Sequence, residues 1–366
     1  MAKVLISGAS IAGPTLAYWL SRNGHDVTIA ERAPAPRPGG QAIDVRGVGV
    51  TVLSRMDLLE AARTRRTTLN GVSVVDINGN ELWRSTEETL SGGRFDTDDI
   101  EILRDDLAGI LLDQIQPQVR MLYGETIKAM AEHDAGVDVR FEHHPMETFD
   151  LVVGADGLYS NVRRLMFDES GSVHSLGVGL AVFTTPNFME LNNWQIAHRE
   201  GQGGFLIYTA RQSTEVRVAL GFEFNECEDA RLSLDAQKKL VAKRCAHFTW
   251  EVPRLIEAMW TASDFYFGAV AQVKQESWAR GRIALVGDAA YCPSPFSGQG
   301  TSLALVGAYV LADELGRDLE GRDQAFSRYR ERMREFVALN QALATSDGAP
   351  SDKDQALAHA KCAISL

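Results

Sequence analysis

The chain has 366 residues, 45% of them hydrophobic and 23% charged, so it has material for a sizeable core and its length suggests two domains. Its net charge of −12 argues against nucleic acid or an anionic membrane as a partner, because both are recognised by basic patches. No apolar stretch reaches spanning length and no leader-like segment precedes the first strand, so the expectation is a cytoplasmic protein.

The chain opens on Lys3–Gly13, an apolar strand running into a glycine turn. A helix over Thr15–Asn23 should stop at Gly24, and a second strand over Asp26–Ala30 delivers Glu31. This is a βαβ opening with Gly8, Ser10 and Gly13 in the dinucleotide-binding positions. Gly8 permits the turn, Gly13 lets helix and strand pack closely, and the helix N-terminus faces a pyrophosphate. Ser10 replaces the usual middle glycine and is still small enough for a phosphate to approach. Glu31 is placed for ribose hydroxyls and disfavours a 2′-phosphate, so the nucleotide is FAD or NAD rather than NADP.

Arg32–Gly47 is rich in proline and glycine, with Gly39-Gly40 ahead of a short strand carrying Asp44 and Arg46. Val48–Arg63 reads as a helix, and Val72–Leu82 as a hairpin with a type I′ turn at Asn78-Gly79. Ile100–Gln114 reads as a helix with Arg104 near its start. Short strands follow between Gln118 and Glu142. In Phe149–Arg164 an apolar strand ends at Gly154-Ala155-Asp156-Gly157, and Ser160 caps a helix carrying Arg163 and Arg164.

From about residue 175 to 225 the chain alternates with period two, as in antiparallel strands of one sheet. Leu234–Trp260 is mostly helical, and Tyr266–Gln272 is a further strand. Ile283–Val286 is a buried strand that breaks at Gly287-Asp288, crosses a loop through Pro293, Pro295 and Gly298, and becomes helical from Thr301. A carboxylate at a strand end, followed by a glycine-rich loop opening onto a helix, suits a polar ligand with hydroxyls and negative charge. Arg322–Ala344 is a long charged helix with Phe326, Tyr329, Met333, Phe336 and Val337 on one side, and from Ser346 the tail is small, polar and expected to be mobile. Cys227, Cys245, Cys292 and Cys362 lack CxxC or metal-ligand spacing, and the eight histidines show no HExxH grouping, so no metal is expected.

Taken together, these three glycine motifs, in this order and spacing, resemble the class A flavin-dependent monooxygenases of the para-hydroxybenzoate hydroxylase fold over nearly the whole chain. The stretches GGQAIDVRG, RFDTDDIEILRDDL and GDAAYCPSPFSGQG look most like the tetracycline-inactivating and antibiotic-tailoring members. The resemblance implies an α/β fold: a Rossmann-like FAD-binding domain from 1–71, 95–174 and 273–321, with an inserted antiparallel β-sheet substrate domain from 72–94 and 175–272. A C-terminal bridging helix (322–345) and a tail (346–366) complete it.

For noncovalent FAD it implies that Gly8, Ser10, Ile11, Ala12 and Gly13 hold the pyrophosphate, with Glu31 on the adenosine ribose and Arg32 beside it. Gly40, Asp44 and Arg104 match further cofactor positions, and Asp156 is the GADG carboxylate. Asp288 would bind the ribityl hydroxyls, while Pro295, Gly298, Gln299, Gly300 and Thr301 lie beside the isoalloxazine. Arg37 is similar in position to a residue that contacts NADPH.

The implied reaction is hydroxylation of an electron-rich aromatic or polyketide-like small molecule, with NADPH or NADH and O₂, through a flavin C4a-hydroperoxide. No side chain is assigned as an acid–base catalyst, since the flavin carries the difficult chemistry. Trp194, His198, Tyr208 and Arg211 are pocket candidates on the inserted sheet, whose aromatics Phe183, Trp194, Phe205, Tyr208, Phe222 and Phe224 offer stacking surfaces on whichever face is turned inward. A monomer or weak homodimer is expected. A flavin-dependent oxidase, or a non-redox cyclase or binding protein, stays open as the alternative.

Overall fold

A computed structural model describes residues 1–90, 94, 97–167, 172–201, 203–224, 232–318, 321–345 and 350–366; Cys227 and Ser346 lie outside them. The first sheet has six strands in the order β17 (Ala279–Arg280), β18 (Ile283–Leu285), β11 (Leu151–Gly154), β1 (Lys3–Ser7), β2 (Asp26–Glu31), β7 (Arg120–Tyr123). All pairs are parallel except β17 with β18. The inner strands are apolar at nearly every position because helices cover both faces of a parallel sheet. The register sets Ser7 opposite Gly154 and Gly154 opposite Leu285, so three loops far apart in sequence leave one edge side by side.

Helix α1 (Ala12–Arg22) follows the first of these loops, α5 (Asn161–Met166) the second, and α8 (Asp288–Tyr291) with α9 (Gly300–Arg317) the third. Helix α10 (Arg322–Ala342) buries Phe326, Tyr329, Met333, Phe336 and Val337, the side expected from the sequence, and its Arg328 and Arg332 pair with the buried Glu314 of α9. No helix among the described residues is long and apolar enough to cross a membrane.

The second large sheet has seven strands in the order β16 (Tyr266–Val273), β12 (Val173–Pro186), β15 (Glu215–Glu223), β14 (Gly203–Ala210), β13 (Trp194–Glu200), β4 (Gly71–Val75), β5 (Glu81–Ser85). One face is sealed by α6 (Leu234–Arg244) and α7 (Val252–Met259), against which Phe183, Phe205, Phe222, Phe224 and Phe267 pack. A three-stranded sheet of β8 (Ile127–His133), β9 (Gly136–Phe141) and β10 (Glu147–Phe149) lies beside the parallel one. The pair β3 (Ala42–Val45) and β6 (Ile100–Leu103) stands between the two large sheets, since the Ala42 amide donates to the Tyr208 hydroxyl of β14.

Four local expectations are corrected. Residues 100–103 form strand β6, and helix α4 (Arg104–Ile115) begins without an intervening turn; Leu103, at φ −66° and ψ 139°, is still extended. The helix expected over Val48–Arg63 is two, α2 (Val48–Arg55) and α3 (Leu59–Thr64), because Asp57 takes φ 59°. The Asn78-Gly79 turn is not type I′, which needs both residues at positive φ; only Gly79 is there, and Asp76 closes the turn by accepting the Asn78 and Asn80 amides. The tail is not a loose end: α11 (Pro350–Ala360) buries Leu357 and Ala360, and Lys361 Nζ reaches Asp99 at 2.7 Å.

Candidate cofactor and substrate site

The first loop is held by steric necessity. A Cβ on Gly8, at φ +106°, would stand 2.5 Å from the Ala155 carbonyl oxygen, and one on Gly13 would stand 1.9 Å from that of Gly8. Both contacts are with backbone, which cannot give way, so glycine alone lets β1, α1 and the second loop close together. The amides of Ser10 and Ile11 find no acceptor among the described residues and lie at the positive end of α1. Glu31 accepts the Ala9 amide at 2.9 Å and the Ala33 amide at 2.8 Å, which fixes its carboxylate beside the turn with lone pairs to spare. A cleft there is lined by Ser10, Glu31, Arg37, Arg104 and Tyr123. Arg32 stays exposed.

Arg104 is a clamp on the chain itself. Its Nη2 donates to the carbonyls of Arg37 at 3.0 Å and Gly39 at 2.7 Å, and a Cβ on Gly40 would strike its Nε. Asp156 is also occupied internally. It accepts from Ser160 Oγ, from the Asn161 amide at 2.9 Å and the Val162 amide at 3.1 Å, and from Ser7 Oγ at 3.3 Å. The GADG carboxylate therefore caps α5 and ties it to β1, although burial raises its pKa.

The third loop supplies a second helix start. Asp288 follows Gly287, whose φ of +64° brings the chain against Ala12 and Ala304. Burial pushes the Asp288 carboxyl up to about 6, partly offset by the Cys292 thiol. Ser294 adopts φ 81°, a conformation costing a non-glycine residue about 1–3 kcal/mol, and is held there by donors from Phe296 N and Ser297 N. Gly298 turns left-handed at φ 62° and leads to α9, where the Gly300 and Thr301 amides have no acceptor among the described residues. Gln299 is fully buried, and neither of its amide atoms has a hydrogen-bond partner among the described residues. A Cβ on Gly298 would lie 3.4 Å from Asp44 Oδ2, so the ion pair of Asp44 with Arg46 (3.0 Å) flanks this turn. Ser302 Oγ accepts the Arg46 amide at 2.9 Å and fixes β3 to α9.

Sequence reasoning missed one residue that joins two motifs. Arg163, 1% exposed, donates to the Ala289 carbonyl of α8 at 2.8 Å and to the Leu158 carbonyl at 2.7 Å. Its signal was a charge on the inner side of a short capped helix.

The pocket candidates divide between the two faces of the seven-stranded sheet. Tyr208 lies on the face turned toward β3 and Leu103 of β6. Trp194 and His198 do not: Trp194 packs with the opposite core, and His198 stacks on Phe205 at 5.2 Å and donates Nδ1–H to the Val75 carbonyl at 2.8 Å. Alternation along β13 sends both to the helix-covered side. The same rule carries Phe183, Phe205, Phe222 and Phe224 there, so of the six aromatics only Tyr208 faces inward. Arg211 is exposed and pairs with Asp105 and Asp106 at the start of α4.

Cross-strand pairing identifies what the inward face does carry. Leu180 opposes Gly221, and Ala219 opposes Leu206, which opposes Ala197. These residues are partly exposed while the reverse face is sealed, giving a flat apolar floor. Beside it runs a polar row in which Arg217 opposes both Tyr208 and Thr184.

The match to known proteins decides the family. The family model described as FAD binding domain matches residues 1–343. A flavin-dependent monooxygenase from an unknown prokaryotic organism is 40% identical over 93% of this chain and 88% of its own. The chain belongs to the FAD-dependent monooxygenases. Two solved members of this family are alike over their full length: tetracycline destructase Tet(51), with TM-score 0.91, 32% identity and coverage of 100% and 99%, and Tet(55), with 0.88, 36%, and 100% and 98%. The residues fit FAD. Two helix starts carry free amides for its negative groups, Glu31 and Asp288 offer acceptors for its hydroxyls, and the orphaned Gln299 amide adjoins the loop where a flavin ring would rest.

Proposed function

We propose that this monooxygenase hydroxylates an electron-rich, planar or polycyclic phenol or enol from natural-product metabolism. The observation that carries this reading is the apolar floor of Leu180, Ala197, Leu206, Ala219 and Gly221, on the sheet face that meets β3, whose Asp44 flanks the Gly298 turn. A flat ring system resting there would bury apolar area and exclude water, while Tyr208, Arg217 and Gln195 at its border would orient a polar substituent. The relatives named as tetracycline destructases support the same class of substrate.

Bound at this site, FAD would supply the hydride-accepting and O₂-activating chemistry, with NAD(P)H as reductant. The chain's own share is to hold and orient. Residues 8–13 and Glu31 grip the nucleotide end, and Asp288 the ribityl hydroxyls. The amides of Gly300 and Thr301 favour negative charge on the ring as it is reduced. Arg37, at the mouth of the Ser10–Glu31 cleft, is the reading for the reductant. The parallel sheet with its helices is read as the FAD-binding domain, the seven-stranded sheet as the substrate domain, and the protein as a monomer or weak homodimer without nucleic-acid or membrane partners, which its acidic charge supports.

The test is product mass after turnover under ¹⁸O₂ with NADPH and a panel of phenols and polycyclic polyketides. One labelled oxygen in the product is expected. Substrate-stimulated NADPH consumption that yields only peroxide across the panel would replace this reading with an oxidase.

A further inference from the structure

The β3–β6 pair carries two carboxylates where a strand pair normally avoids them. Asp44 and Glu101 are direct partners across the antiparallel ladder, and their side chains share one face. The Arg46 guanidinium pairs with Asp44 at 3.0 Å, and Thr67 Oγ1 donates to Glu101 Oε1 at 2.5 Å. The surrounding charges are accounted for. Asp99 is held by the Gly47 amide and Lys361 Nζ. From the seven-stranded sheet, Tyr208 faces the pair, and its cross-strand neighbour Arg217 is engaged by Glu215 and Asp264. Two like charges set opposite each other on one face of the ladder, half-buried and both within the field of one arginine, do not both persist.

We propose that Asp44 and Glu101 hold one proton between them, and that Glu101 is thereby a positioning residue that sets the charge Asp44 presents to Arg46 and to the Gly298 turn. Burial, and then the Asp44 charge, raise the Glu101 carboxyl to about 7, while Thr67 opposes the shift. Asp44 is also raised, by burial above all, but keeps the arginine, so Glu101 is the neutral partner below neutrality. Ionisation of Glu101 places a second negative charge beside Asp44, between the flavin-side turn and the substrate floor. The pair's effect on turnover rests on the monooxygenase reading above; its protonation does not.

Infrared difference titration of the holoenzyme from pH 5 to 9 reads the proton directly. A protonated-carboxyl band should disappear as pH rises through about 7. The band should be missing in Glu101→Gln, move to higher pH in Thr67→Val, which removes a donor favouring the charged form, and to lower pH in Asp44→Asn, which removes the repelling charge. With a responsive substrate, the limb of the pH–rate profile near neutrality should vanish in Glu101→Gln, whose amide still accepts from Thr67. The absence of a titrating carboxyl near 7, or a band and limb that persist in Glu101→Gln, would overturn the proposal. If no substrate responds, the monooxygenase reading is what has failed, and the infrared arm still decides the proton.

Discussion

Replacing Arg163 with methionine keeps the apolar stem and removes the donors to the Ala289 and Leu158 carbonyls at 2.8 Å and 2.7 Å. The Ala289 carbonyl is buried and would be left without that donor, at a cost of about 1–3 kcal/mol, while the half-buried Leu158 carbonyl can turn to water. Against this, methionine avoids the desolvation of a guanidinium that is 1% exposed, which recovers part of the loss. The orphaned Ala289 acceptor outweighs that gain, and a net loss of about 1–2 kcal/mol is expected. Arg163→Lys, with one ammonium for two acceptors, should lose about half as much. Urea unfolding followed by tryptophan fluorescence gives the stability change, and fluorescence titration gives the FAD dissociation constant. FAD affinity should fall as well, since Ala289 follows the carboxylate Asp288. A methionine variant within about 0.5 kcal/mol of the parent, with unchanged FAD affinity, would show that Arg163 does not join the two motifs.

Asp288→Asn should weaken FAD by the worth of charge-assisted hydrogen bonds, about 1.5–3 kcal/mol, or roughly 10- to 150-fold in dissociation constant. Because burial raises this carboxyl to about 6, the parent should release FAD more readily as pH falls through that value and the acceptor is protonated; the same slope in the asparagine variant would assign the effect elsewhere. Removal of residues 350–366 uncovers the Asn340 amide that donates to the Ala360 carbonyl and frees Asp99 from Lys361, so the melting temperature should drop by several degrees. An unchanged melting temperature would mean that α11 contributes no stability.

Where chemistry dictates residue type, the chain was readable. Gly8 and Gly13 are where backbone meets backbone, Glu31 ends β2, Asp288 ends the buried run of β18, and Ser160 caps α5 through the Arg163 amide. The period-two pattern located the strands of the inserted sheet but not which face each residue would show, since alternation is the same whichever side is buried. The inward-facing aromatics therefore reduced to Tyr208, and the face left for a ligand is built of aliphatic and small residues that draw no attention in a sequence. Strand β6 was hidden because IEIL runs straight into an amphipathic helix with no glycine or proline between. With it went Glu101, a lone acid in an apolar strand. Asp156 was legible as a motif but not as a helix cap, because its partners Ser7, Asn161 and Val162 become neighbours only once β1 and β11 pair.

The strand order has a consequence for synthesis. The edge that gathers the three glycine loops exists only when β18, at residues 283–285, has paired with β11, and β11 with β1. A ribosome delivers these segments some 150 and 280 residues after the first, so in a nascent chain β1 can pair with β2 while its other edge waits for β11. Such distant pairings must be closed before they return any contact energy, which makes folding slow. The three-loop edge is therefore assembled only after residue 285 has been made.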